Sequence, residues 1–115
     1  MFSCYLLELE SDKYYAGSTL THLIQQRYNT HLNGTGAKWT KKYKPLHILK
    51  TWDNLTSQEA FKKEQEVCEN IILEQGDLDS CRGGTWNFGF VGDFWWVPRS
   101  FRHMIPRQII EQTPI

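Results

Sequence analysis

Ser3-Cys4-Tyr5-Leu6-Leu7-Glu8-Leu9-Glu10-Ser11-Asp12-Lys13-Tyr14-Tyr15-Ala16-Gly17 is the stretch on which the fold turns. Tyr5, Leu7 and Leu9 alternate with Cys4, Leu6 and Glu8, the two-residue period of an extended strand over 4–9. Glu10-Ser11-Asp12 is a short polar turn, and residues 13–17 read as the returning strand. The pair predicts an antiparallel hairpin with one tyrosine on each arm. Gly17 stands where the chain must turn sharply into a helix.

Working outward, residues 20–33 predict a helix, with Ser18 or Thr19 as cap candidates and Asn33-Gly34-Thr35-Gly36 as the stop. Residues 36–45 form a basic connector with aromatics interleaved, and 46–52 read as a third strand. Thr56-Ser57-Gln58-Glu59 is a capping-box pattern, a hydroxyl at the cap and a carboxylate three residues on. It opens a second helix that runs to about Gln75 and stops at Gly76. The predicted fold is α/β of the α+β kind: a small three-stranded antiparallel sheet flanked by helices over residues 1–76. Residues 77–115 form an aromatic-rich extension. Trp86, Phe88 and Phe90 alternate like a strand, Gly92-Asp93 offers a turn, and Phe94-Trp95-Trp96-Val97 a return. Pro98, Pro106 and Pro114 bar a long regular element after it. Packing on the same domain is expected of this extension, with a homodimer or protein-partner face as the alternative.

A chain of 115 residues has room for one core. Its apolar share of 40% is ordinary for a globular protein. No apolar run approaches the roughly 20 residues that span a bilayer, so no membrane partner is expected. The N-terminus lacks the basic start and long apolar stretch of a signal peptide. Cys4, Cys68 and Cys81 are odd in number and form no CxxC pair, which fits free thiols in a cytoplasmic protein. Thirteen basic and thirteen acidic residues balance, yet they are segregated. Residues 27–50 hold six basic residues and no acidic one, whereas 53–79 hold eight acidic residues and two lysines. One side can therefore face a polyanion while the other repels it.

Angles along the two helices single out the chemistry. On the first, Leu20, Leu23 and Ile24 set an apolar face, and Arg27 and His31 fall near its middle, one turn apart. An arginine placed inward without a partner is costly, so this pattern predicts a cleft in place of a dry core. On the second, Ala60, Val67, Cys68 and Ile71 set the stripe, and Glu64 falls within it. An inward carboxylate is either a metal ligand or an ion-pair partner, here of Arg27. Taken singly, each tyrosine reads as an ordinary strand residue and His31 as an ordinary core or surface histidine. Their order along the chain is what makes them a candidate site.

That order resembles the GIY-YIG nuclease family over about residues 3–75. Cys4-Tyr5 matches the end of GIY, with Ser3 in place of its glycine, and Tyr15-Ala16-Gly17 matches YIG. Arg27-Tyr28-Asn29-Thr30-His31 is similar to the family's Arg-x-x-x-His helix, and Ala60-Phe61-Lys62-Lys63-Glu64 to the segment with its glutamate. Gly36-Ala37-Lys38-Trp39-Thr40 through Pro45 resembles the Gly-Ala-Lys-x-Thr…Pro stretch of the small stand-alone and DNA-repair branch. The interval from Gly17 to Arg27 is about two residues longer than usual, and Cys68 stands where a lysine is common. The resemblance implies a metal-dependent DNA endonuclease. Catalytic residues would be Tyr5 (general base), Tyr15, Arg27, His31 and Glu64, with Glu64 holding one Mg²⁺, or Mn²⁺. Lys38, Lys41, Lys42 and Lys44, with Trp39, would track DNA. Asn87 stands as a further site candidate, since some family members place an asparagine late in the fold. The alternative is a non-catalytic DNA-binding or protein-interaction module on the same fold.

Overall fold

The computed structural model describes residues 1–77 and 79–83. The expected aromatic hairpin, Asn87 and the remainder of the extension lie outside the described residues. Four strands and three α-helices follow in the order β1 (Phe2–Leu9), β2 (Lys13–Leu20), α1 (Ile24–Leu32), α2 (Lys38–Lys42), β3 (Pro45–Leu55), α3 (Ser57–Gln75) and β4 (Cys81–Gly83).

β1 is the centre of the sheet, whose order is β3-β1-β2-β4. It is covered on both faces, which explains why Ser3 to Leu7 are buried without interruption. One face packs Tyr5, Leu7 and Leu9 against Trp39 of α2, with Tyr15, Tyr28, Tyr43 and Ile48 around them. The other packs Leu6 and Ala16 against Val67 of α3, with Tyr14, Trp52 and Ile71. The β1–β2 hairpin closes through Ser11 and Asp12, both in the left-handed region with φ of 62° and 58°. Polar residues of this kind tolerate that conformation best after glycine.

The sheet is mixed and four-stranded, where a three-stranded antiparallel one was expected. β3 and β2 are antiparallel to β1, but β4 adds in parallel to β2, pairing Cys81, Arg82 and Gly83 with Tyr14, Tyr15 and Ala16. Three residues carry too little pattern to read as a strand. The side chain that anchors them is also unusual: Arg82 is buried, its Nη2 donates to Asp79 Oδ1 at 2.7 Å, and its guanidinium lies over the Trp39 ring at 4.6 Å. Burying a guanidinium is tolerable only with such partners.

The first helix also begins later than expected. β2 runs on through Ser18, Thr19 and Leu20, a 3-10 turn spans Thr21–Leu23, and α1 starts at Ile24. Neither Ser18 nor Thr19 caps it; Leu23 stands at the cap position without a side-chain bond. Their pairing with β1 (Cys4 with Ser18, Ser3 with Thr19) outweighs the capping preference. α3, in contrast, starts as read. Thr56 Oγ1 accepts from the Glu59 amide at 3.1 Å, Glu59 Oε1 accepts from the Thr56 amide at 2.9 Å, and Gly76 closes the helix. Among the described residues no helix is long and apolar enough to cross a membrane.

Candidate active site

The hairpin register decides where the tyrosines meet. Tyr5 lies opposite Gly17, and Leu7 opposite Tyr15, so the two phenols are diagonal neighbours on one face of the sheet. The Tyr5 ring lies directly over Gly17. A Cβ there would come within 2.9 Å of Tyr5 Cε2 and closer still to the phenol oxygen. Gly17→Ala should therefore lower stability by about 1–3 kcal/mol, the range of overpacked positions. An unchanged denaturation midpoint would show that the Tyr5 ring has room to move.

His31 closes this face from α1. It is wholly buried, its Nε2 lies 2.8 Å from the Tyr5 hydroxyl, and its ring stands 5.1 Å from that of Tyr15. Its Nδ1 lies 2.9 Å from Thr40 Oγ1 on α2. Burial, then repulsion from the Arg27 guanidinium, lowers the His31 pKa to about 4, so the imidazole is neutral at physiological pH. Burial and the neighbouring Tyr15 push the Tyr5 hydroxyl well above its ordinary value, while Arg27 draws it back through hydrogen bonding and charge. Tyr15 is raised to about 12 by burial and then by the Glu64 carboxylate, against Arg27.

Arg27 and His31 both act on Tyr5 but differ in burial, His31 being wholly enclosed. Ile24, Tyr28 and His31 turn toward the sheet, while Arg27 is exposed and lines an open cleft of about 230 Å³ with Thr19, Leu23, Gln26 and Thr30. Arg27 is left available to a ligand while its charge acts on all four other candidates.

Glu64 comes from the opposite side of the sheet, on α3. It is 9% exposed, and among the described residues its one hydrogen bond is from Ser18 Oγ to Oε2 at 3.2 Å. Burial lifts its carboxyl to about 7, with the Ser18 bond and Arg27 pulling it partly back. β4 pairs with Tyr14, Tyr15 and Ala16 among the described residues. Among the described residues the outer edge of β2 beyond Ala16 has no partner strand, and the charge of Glu64 acts past it on both tyrosines. The ion pairs among the described residues are Lys13–Asp77, His47–Glu8, Lys63–Glu66 and Arg82–Asp79. Arg27 and Glu64 are not paired, so the expectation of a purely structural bridge between them is not met.

A buried carboxylate near neutrality with unused lone pairs gains from a cation. Among the described residues no three His, Cys, Asp or Glu side chains gather. A single carboxylate suits a hard divalent cation that keeps most of its waters, and not a metal that needs a cage of imidazoles and thiolates.

The basic connector forms α2, whose Lys38, Lys41 and Lys42 are exposed; exposed Lys44 follows at the hairpin-turn end of the sheet, where its carbonyl accepts from the Glu10 amide. Trp39 is not with them. It is 6% exposed, and its indole N–H donates to the Tyr14 carbonyl at 3.0 Å. This corrects the expectation that it stacks on nucleic acid: a large ring on the inner face of a short helix contributes more by filling the core. Two participants were missed. Ser18 was read as a helix cap, and Thr40 as one member of a basic run. For Thr40, the Gly-Ala-Lys-x-Thr spacing was the available signal.

Comparison with known proteins places these residues in context. The family model of the GIY-YIG catalytic domain matches residues 1–73. A UPF0213 protein of Halalkalibacterium halodurans is 30% identical over 82 residues, covering 71% of this chain and 85% of its own length. A UPF0213 protein of Cupriavidus necator is 40% identical over 63 residues, covering 55% of this chain and 66% of its own. No solved structure matches the chain significantly. The relatives' names state no activity.

Proposed function

This chain belongs to the GIY-YIG family, a nuclease family whose members use divalent metal ions, and on that premise we propose that it is a Mg²⁺-dependent DNA endonuclease. The observation that carries the reading is the buried Tyr5–His31 hydrogen bond beside an exposed arginine and a carboxylate close to neutrality. An exposed arginine and a buried carboxyl with a raised pKa give a core nothing; with the Tyr5–His31 pair they suit hydrolysis of an anion.

A DNA phosphodiester repels hydroxide, so the site must supply positive charge and a base. Arg27 takes a non-bridging phosphate oxygen, a task that suits the planar guanidinium. Water attacks phosphorus, the bond to the 3′ oxygen breaks, and the proton of the water passes to Tyr5. A free phenolate at Tyr5 is unfavourable in this buried setting. The proton that Tyr5 already carries therefore moves on to His31 as the new one arrives. Phosphate binding assists that step, because an anion on Arg27 cancels one of the two causes that lower the His31 pKa. Tyr15 orients the phosphate or the water. Glu64 would hold the cation, which supplies charge stabilisation at the phosphate and the departing oxygen.

Lys38, Lys41, Lys42 and Lys44, exposed on and just after the helix whose Thr40 bonds His31, would position DNA through its backbone, without reading sequence. Lys38→Ala with Lys41→Ala should weaken binding across unrelated sequences. It should also reduce the slope of log affinity against log salt by about 2, one unit per lost phosphate contact. A flat salt response in the parent would remove α2 from the interface. The direct test is cleavage of labelled duplex, flap and four-way-junction DNA with Mg²⁺ or Mn²⁺. Cutting by the parent supports the proposal, and the preferred DNA names the substrate. Tight, salt-sensitive binding without cutting would replace it with a binding module.

A further inference from the structure

We propose that Thr40 is a positioning residue that sets the tautomer of His31. The hydroxyl Oγ1 of Thr40 lies 2.9 Å from the Ala37 carbonyl oxygen and 2.9 Å from His31 Nδ1. A carbonyl oxygen can only accept, so the single hydroxyl proton of Thr40 is committed to Ala37. What Thr40 offers to His31 is a lone pair, and Nδ1 must then carry the ring proton. In a neutral imidazole the other nitrogen is bare. Nε2 therefore accepts from the Tyr5 hydroxyl, 2.8 Å away. The chain of donors runs in one direction: Tyr5 O–H to His31 Nε2, His31 Nδ1–H to Thr40, Thr40 O–H to the Ala37 carbonyl.

The backbone beside the ring supports the same arrangement. A Cβ on Gly36 would lie 2.9 Å from His31 Cε1 and closer still to Nδ1, so only glycine lets the loop pass this close. Thr40 is 1% exposed and His31 0%, which keeps solvent from exchanging the partner of Nδ1. Gly36, Ala37 and Thr40 thus act as a clamp on one edge of the imidazole and leave the opposite nitrogen for Tyr5. Thr40 touches neither substrate nor reacting atoms. It acts by giving Tyr5 an acceptor in the one orientation that lets its proton leave. The catalytic consequence rests on the nuclease reading; the tautomer does not.

The experiment is two-bond ¹H–¹⁵N spectroscopy of ring-labelled protein at pH 7, with His31 assigned against His31→Gln, beside single-turnover cleavage. The parent is expected to show a protonated Nδ1 and a bare Nε2. Thr40→Val keeps the shape but removes the lone pair. It should shift His31 toward the Nε2–H form and slow cutting by about ten- to a hundredfold, a part of the roughly 10²–10⁴-fold that a general base contributes, with DNA affinity unchanged. Thr40→Ser should restore both. A parent found in the Nε2–H form overturns the proposal, as does a slow Thr40→Val whose His31 keeps the parent tautomer. A parent that cuts no DNA would remove the nuclease reading, while the spectrum would still decide the clamp. If Thr40→Val fails to fold, the parent spectrum alone retains that power.

Discussion

Glu64→Gln should abolish DNA cutting and, without added metal, make the protein more stable above pH 7. Burial raises the Glu64 carboxyl from 4.5 to about 7, so the folded protein holds a proton that the unfolded chain has released across that window. Folding stability from this group therefore falls as pH rises from 4.5 to 7, by about 3 kcal/mol at most. Glutamine retains the oxygen that accepts from Ser18 and carries no charge to desolvate, so the penalty disappears. His31 has the opposite sign. Its pKa is lowered from 6.5 to about 4, the unfolded chain binds the extra proton, and stability rises with pH through that window. In the parent the two slopes oppose each other over pH 4.5–6.5. In Glu64→Gln the opposing slope is gone, and His31 should contribute a gain of about 3 kcal/mol between pH 4 and 6.5. Denaturant unfolding across pH measures this. Mg²⁺ should stabilise the parent and leave Glu64→Gln unmoved, because a ligand stabilises only the state that binds it. A Glu64→Gln protein that is weaker than the parent at pH 8 would mean that the carboxylate is a structural partner and not a ligand in waiting.

Arg27→Ala is the second large effect, and it should separate activity from stability. The side chain is exposed and makes no ion pair among the described residues, but it hydrogen-bonds Tyr5, so unfolding free energy should fall by only about 0.5–1.5 kcal/mol. Cutting should fall by roughly 10²–10³-fold, the scale of losing one donor to a developing oxyanion. Two shifts should accompany the loss. Arg27 is one of two causes that lower His31, so the imidazole should titrate closer to its ordinary value. Arg27 also draws Tyr5 down, so that hydroxyl should become still harder to ionise. Single-turnover rates and a histidine titration report both. Cutting at the parent rate would sink the role given to Arg27, whatever the titration shows.

The hairpin was legible because its cause is local. Alternation over 4–9, a polar turn and a second arm specify a register, and the register alone sets Tyr5 over Gly17 and Tyr15 on the same face. The start of α3 was legible for a similar reason, since the capping box needs only Thr56 and Glu59. Glu64 followed from the period of that helix. Where the reading went wrong, a neighbour distant in sequence had decided. Ser18, Thr19 and Leu20 have a hydroxyl-rich, cap-like composition, yet pairing with β1 extended β2 through them and delayed α1. β4 exists because Arg82 finds Asp79 and Trp39, contacts that three residues of sequence do not announce.

The sequence by itself therefore determined the hairpin, the two long helical patterns and the segregation of charge, and its resemblance to the family singled out five candidate residues. The hairpin and the helices rest on periodicities and caps that act within a few residues. Only the tertiary structure decided which of the five touch, that Arg27 faces solvent while His31 does not, and that Glu64 approaches from the other side of the sheet. It alone put Trp39 in the core and Thr40 on His31. Those outcomes depend on burial and on hydrogen bonds between elements, where a partner 9 residues away for His31 and Thr40, or 46 for Ser18 and Glu64, sets the chemistry.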